Sequence, residues 1–161
     1  MFNKNFLFTF MFICYSIPII YIFLYYKNNK SISHIISNGT TNNTVLYPMI
    51  FMFIFTIMYE VKRNNLLSLI IIIFLIIGII GVIFIDKYMH YIYAYIVFLS
   101  IILFMIYHTI IIYTNNILYN LVYINSLVAL NIIENNNNDI FIQEILYIGI
   151  FALFYTILHF Q

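Results

Sequence analysis

The ionisable residues of this chain are few enough to weigh singly. Asp86 and His90 flank the short hinge Asp86-Lys87-Tyr88-Met89-His90. A carboxylate and an imidazole brought together by such a hinge can relay a proton, share a metal ion or grip a polar headgroup. They can equally form an interfacial ion pair that only fixes the turn. His108 stands eighteen residues beyond His90. That is five helical turns along one face, about 27 Å, so the two imidazoles cannot bind the same metal ion. No H-x-x-x-H or H-E-x-x-H spacing occurs, and a zinc hydrolase has no support. The single cysteine, Cys14, excludes an internal disulfide and a cysteine-rich metal site. No metal and no other cofactor is implied. Ser31, Ser33, Ser37 and His34 share one polar stretch, but no G-x-S-x-G elbow surrounds them. Asn120 and Asn131 fall on nearly one helical face, with Asn125 off it. In a membrane such carboxamides serve as interhelical glue or line a polar pathway. Glu144 lies near the start of the last apolar run.

The elements that must hold these residues are apolar helices. Residues 66–85 carry no charge and one hydroxyl, Ser68. A helix of that length spans about 30 Å, the thickness of a bilayer's hydrocarbon core. Over the whole chain of 161 residues, 65% are hydrophobic and 7% charged, against roughly 25% charged in soluble domains. Most of the surface must therefore face lipid. The net charge of +1 leaves no basic field for nucleic acid. The abundance of Ile, Asn, Tyr, Phe and Lys points to A+T-rich coding.

Six spans are predicted, at about 6–26, 45–61, 66–85, 91–113, 117–133 and 140–160, with a polar loop at 27–44. The fold class is all-α, a single polytopic bundle of six transmembrane helices. The first run is too long for a signal-peptide core and is read as a retained helix, kinked at Pro18. Pro48 suits the start of the second, and Glu60, Lys62 and Arg63 end that span at an interface. Gly78 and Gly81 should let a neighbouring helix approach closely. Tyr25, Tyr26, Tyr88, Tyr91, Tyr93, Tyr113 and Tyr119 sit near predicted helix ends as interfacial anchors. Six spans put both termini on one side. Lys4, Lys62 and Arg63 share that side, while Lys27, Lys30 and Lys87 share the other, so the positive-inside count is tied. Sequons at Asn29, Asn38 and Asn42 favour an outside or lumenal first loop.

Taken in order, Ile36-Ser37-Asn38-Gly39, Pro48, Gly78-Ile79-Ile80-Gly81, His90, Ala94, Phe98 and Tyr107 resemble one family. It is the six-helix family of the DRAM autophagy modulators and the Golgi factor of GPI-lipid remodelling. The likeness covers residues 31–110. It departs in lacking a proline and an acidic residue around the Ile-Ser element and a glutamate before the second helix. The resemblance implies a small integral membrane protein that modulates membrane lipids or endomembrane traffic in the Golgi, ER or lysosome. It points to Ser37, Asn38, Gly39, Asp86 and His90 as the lipid or polar site.

The expected partners are membrane lipids, with a second copy or another membrane protein as further candidates and no nucleic acid. Two other classes stay open. A proton or ion channel, or a transporter, would use Asp86, His90, Asn120, Asn131 and Glu144. A structural protein of a viral or cell membrane would have no site. No nucleophile or metal set marks the chain as an enzyme.

Overall fold

A computed structural model describes residues 3–25, 31–37, 43–84, 89–112, 116–134 and 140–161. Its elements are α1 (Lys4–Tyr25), α2 (Ile32–Ser37), α3 (Asn43–Arg63), α4 (Leu66–Phe84), α5 (His90–Tyr107), α6 (Asn116–Glu134) and α7 (Ile140–Phe160). A π-helical turn, His108–Ile112, extends α5. All but α2 are long and apolar enough to cross a bilayer, and there is no strand among the described residues. The chain is an all-α, multi-pass membrane bundle. Its abundant exposed Ile, Leu and Phe side chains form the belt that lipid covers.

The sequence places the spans well and their ends less well. The second span begins at Asn43, so Pro48 lies inside α3. Proline there removes only the bond to the Thr44 carbonyl, which is still in the exposed first turn. The polar stretch at 27–44 contains a helix of its own, α2, whose Ile32, Ile35 and Ile36 are buried.

The α3–α4 hairpin turns on two asparagines. Asn64 adopts φ 57°, the left-handed conformation that ends a helix and that asparagine tolerates. Asn65 then caps α4, its Oδ1 accepting the Ser68 N–H at 3.1 Å. The two longest seams are α1 on α3 and α4 on α5. The α4–α5 seam is tight because of its glycines. A Cβ on Gly81 would lie 2.0 Å from Tyr93 Cδ1, and one on Gly78 would lie 2.9 Å from Val97 Cγ2. Helix α6 packs on α5 and α7 from outside.

Candidate functional site

Alternating spans bring the C-terminal ends of α3, α5 and α7 and the N-terminal ends of α1 and α4 to one side of the bundle. A buried polar network forms there. Glu60, on the last turns of α3, is fully buried. Its Oε1 accepts from Arg63 Nη1 at 3.2 Å and from the Tyr155 hydroxyl of α7. Its Oε2 accepts from the Ser68 hydroxyl of α4 at 2.5 Å. Ser68 Oγ also lies 3.0 Å from His108 Nε2, and His108 Nδ1 lies 3.4 Å from Arg63 Nη2.

The proton directions follow from valence. A guanidinium only donates, so Nδ1 of His108 accepts and the ring proton sits on Nε2. That proton points to Ser68 Oγ, whose own proton is committed to the carboxylate. The chain of donors thus runs from Arg63 through His108 and Ser68 to Glu60. Although serine, histidine and carboxylate are in contact, the imidazole donates to the serine and cannot take its proton. The serine is also fully buried and is not in the wall of the cavity in the bundle core. The cluster therefore lacks the geometry of an acyl-transfer triad and instead ties α3, α4, α5 and α7 together.

Around it, Tyr59 donates to or accepts from His159 Nδ1 at 2.7 Å, and Phe8 stacks on His159 with centroids 3.9 Å apart. Lys4 Nζ and the Arg63 guanidinium lie 5.7 Å and 6.0 Å from the Tyr59 ring centroid, within cation–π range. Tyr107 on α5 donates to Asn65 Oδ1 at 2.9 Å.

A cavity of about 200 Å³ runs through the bundle core above this network, walled by α1, α2, α3, α4, α5 and α7. Its wall reaches from Tyr155 to Glu144 along α7, roughly 16 Å of helix, so the space is long and narrow. Among the described side chains five polar ones touch it, and each is engaged elsewhere. Tyr15 donates to the Ile148 carbonyl at 2.6 Å and Tyr147 to the Phe98 carbonyl at 2.7 Å. Thr56 donates back to the Met52 carbonyl at 2.7 Å. Tyr155 is held by Glu60, and Glu144 Oε2 accepts the backbone N–H of Ile32. What remains facing inward is hydrocarbon and aromatic ring. The volume exceeds the ~150 Å³ apolar cavity that stays dry and takes up a benzene-sized guest.

The residues singled out in the sequence are placed as follows. His90 opens α5 and is buried, on the side of the bundle opposite His108. Asn38, Gly39 and Asp86 lie outside the described residues. Ser37 ends α2, and its side chain also lies outside them. Glu144 anchors α2 to α7. Asn120 and Asn131 are exposed on α6, while Asn125 is buried and donates to Met105 Sδ at 3.2 Å. Among the described residues no three His, Cys, Asp or Glu side chains are placed to hold a metal ion. The Glu60–Ser68–His108 network and the Glu144–Ile32 contact thus lie toward opposite ends of the apolar cavity.

Sequence reasoning missed the network. In the sequence Glu60 and Arg63 read as an interfacial helix end, and the spacing of His108 bears only on His90. The usable signals are Ser68, the one hydroxyl in a twenty-residue apolar run, and a histidine within the late part of the fourth apolar run. Comparison with protein-family models, curated proteins and solved structures gives no match.

Proposed function

We propose that this membrane protein takes a lipid acyl chain into the core of its bundle and acts by binding or modulating membrane lipids, without chemistry of its own. The observation that carries this reading is the long apolar cavity whose polar neighbours, among the described residues, are all hydrogen-bonded to protein. Such a space favours a flexible hydrocarbon guest and penalises a polar one, which would find no free partner. The likeness of residues 31–110 to the DRAM and GPI-remodelling family supports the same assignment and adds an endomembrane location to it.

The test is occlusion. Ala152 lines the cavity from α7, and its neighbour Leu153 is exposed. The full chain is reconstituted in phosphatidylcholine vesicles containing a phosphatidylcholine with a diazirine on its acyl chain, irradiated and mapped by mass spectrometry. The wild type and Leu153→Phe should carry label on inward residues such as Met49 and Met52. Ala152→Phe should lose that label and keep the label on exposed faces. Labelling of the wild type on exposed faces alone would refute the reading.

A further inference from the structure

The walls of the cavity differ in how firmly they are closed. Helices α1 and α3 pack along their length, and so do α4 and α5. The α3–α4 seam begins at a two-asparagine hairpin, and the α5–α7 seam is covered from outside by α6. The seam between α1 and α7 has none of these closures. Among the described residues the two backbones make little close approach and meet through long side chains. These contacts include Phe8 against His159 and Phe160 at one end, the near-parallel Phe23–Phe141 rings at 6.5 Å at the other, and the Tyr15 hydroxyl on the Ile148 carbonyl between them. Tyr15 and Ile148 both line the cavity, so this one hydrogen bond crosses the middle of the seam at the cavity wall.

Two backbone features make the middle of the seam yielding. Pro18 has no N–H, so the Cys14 carbonyl loses its helical bond on the turn that carries Tyr15. On α7, Gly149 follows Ile148, and a Cβ built there meets nothing within 4 Å. In lipid, opening the middle of such a seam exposes mostly apolar surface to apolar chains, and the Tyr15–Ile148 hydrogen bond is the polar contact it must break there.

We propose that the α1–α7 seam is a lateral portal through which a lipid acyl chain passes between the leaflet and the cavity, with Tyr15 on the Ile148 carbonyl as its latch. The inference rests on the reading of the cavity as an acyl-chain site. It adds that the guest is drawn from the surrounding bilayer rather than from water.

Tyr107 supplies the control, because its hydroxyl also bridges two helices, from α5 to Asn65 Oδ1 at the start of α4, and it is not part of the cavity wall. The full chain is placed in phosphatidylcholine vesicles with a phosphatidylcholine nitroxide-labelled on its acyl chain. Electron paramagnetic resonance gives the immobilised fraction and its rate of exchange with bulk lipid. Tyr15→Phe should raise that rate about fivefold, the effect of one lost hydrogen bond, while Tyr107→Phe leaves it near wild type. Equal acceleration by both variants, or acceleration by Tyr107→Phe alone, overturns the portal. A second arm tethers the seam by joining native Cys14 to Gly149→Cys with a short bis-methanethiosulfonate. Tethering should abolish the exchange of the immobilised component, and unchanged exchange again overturns the portal. If the wild type shows no immobilised component that Ala152→Phe removes, the acyl-chain reading itself fails. Failure of the seam variants alone leaves that reading standing.

Discussion

Replacement of Arg63 by methionine tests whether the buried network holds the bundle together. Met is close to the aliphatic part of Arg in bulk, so packing against Tyr59 is largely kept while the guanidinium is lost. Glu60 is fully buried and the Arg63 side chain is 8% exposed, so neither charge is screened by water as a surface pair would be. Removing one partner of a buried pair costs about 3–5 kcal/mol, because the other charge is left uncompensated. Here Tyr155 and Ser68 still donate to the carboxylate, which places the expected loss at the low end, about 3 kcal/mol. Glu60→Gln removes the charge but retains one acceptor, and should cost about 2 kcal/mol. The double variant should recover about 2 kcal/mol relative to the sum, the coupling expected of contacting groups. The measurement is unfolding in mixed micelles as the denaturing detergent fraction rises, with the coupling taken from the four-member cycle. A loss under about 0.5 kcal/mol for Arg63→Met, the value of an exposed pair, would refute the burial argument. Strict additivity would refute the contact.

The two glycines that differ most in surroundings should respond oppositely to alanine. Gly81→Ala drives a Cβ into the Tyr93 ring at 2.0–2.5 Å and should cost about 3 kcal/mol by overpacking, with part of the loss recovered in Gly81→Ala/Tyr93→Ala. Gly149→Ala meets open space and should stabilise by up to about 1 kcal/mol through helix propensity; the same micelle unfolding measures both. Six spans place Lys4 and Gln161 on one side and Ile32 on the other. Tags at the two termini should therefore be cleaved together in sealed vesicles, and a tag in the 27–30 stretch should be protected under the same conditions.

Six apolar stretches were legible because each is a long local signal that a charge or a pair of asparagines interrupts. The network was illegible for the opposite reason. Glu60, Ser68, His108 and Tyr155 each lie near one end of a different span, where polar residues are ordinary, and sequence distance gives no hint that they meet. The alternation of spans does carry that hint. The late part of α3, the early part of α4 and the late parts of α5 and α7 must share a side, and Glu60, Lys62, Arg63, Ser68, His108 and His159 all fall there. The hinge at Asp86 and His90 drew attention because its members are close in sequence. The stronger convergence is assembled from residues up to ninety-five positions apart. The cavity left no sequence signal, since its wall of Ile, Phe, Met and Ala is the same material as the lipid-facing belt.

Tyr155 joins the two parts of the molecule. Its ring is part of the cavity wall, and its hydroxyl donates to the buried carboxylate. The network therefore does more than fasten four helices. By holding Tyr155 in one rotamer it fixes the inner end of the cavity, and by drawing the hydroxyl away it leaves that end apolar. Tyr15 and Tyr147 follow the same rule toward backbone carbonyls. A tyrosine whose hydroxyl is satisfied outside the cavity presents only its ring to the guest, so the protein builds a hydrocarbon-like interior from residues that also cross-link its helices. This arrangement explains how the polar groups at the wall can bind helix to helix while the space between them stays suited to an acyl chain.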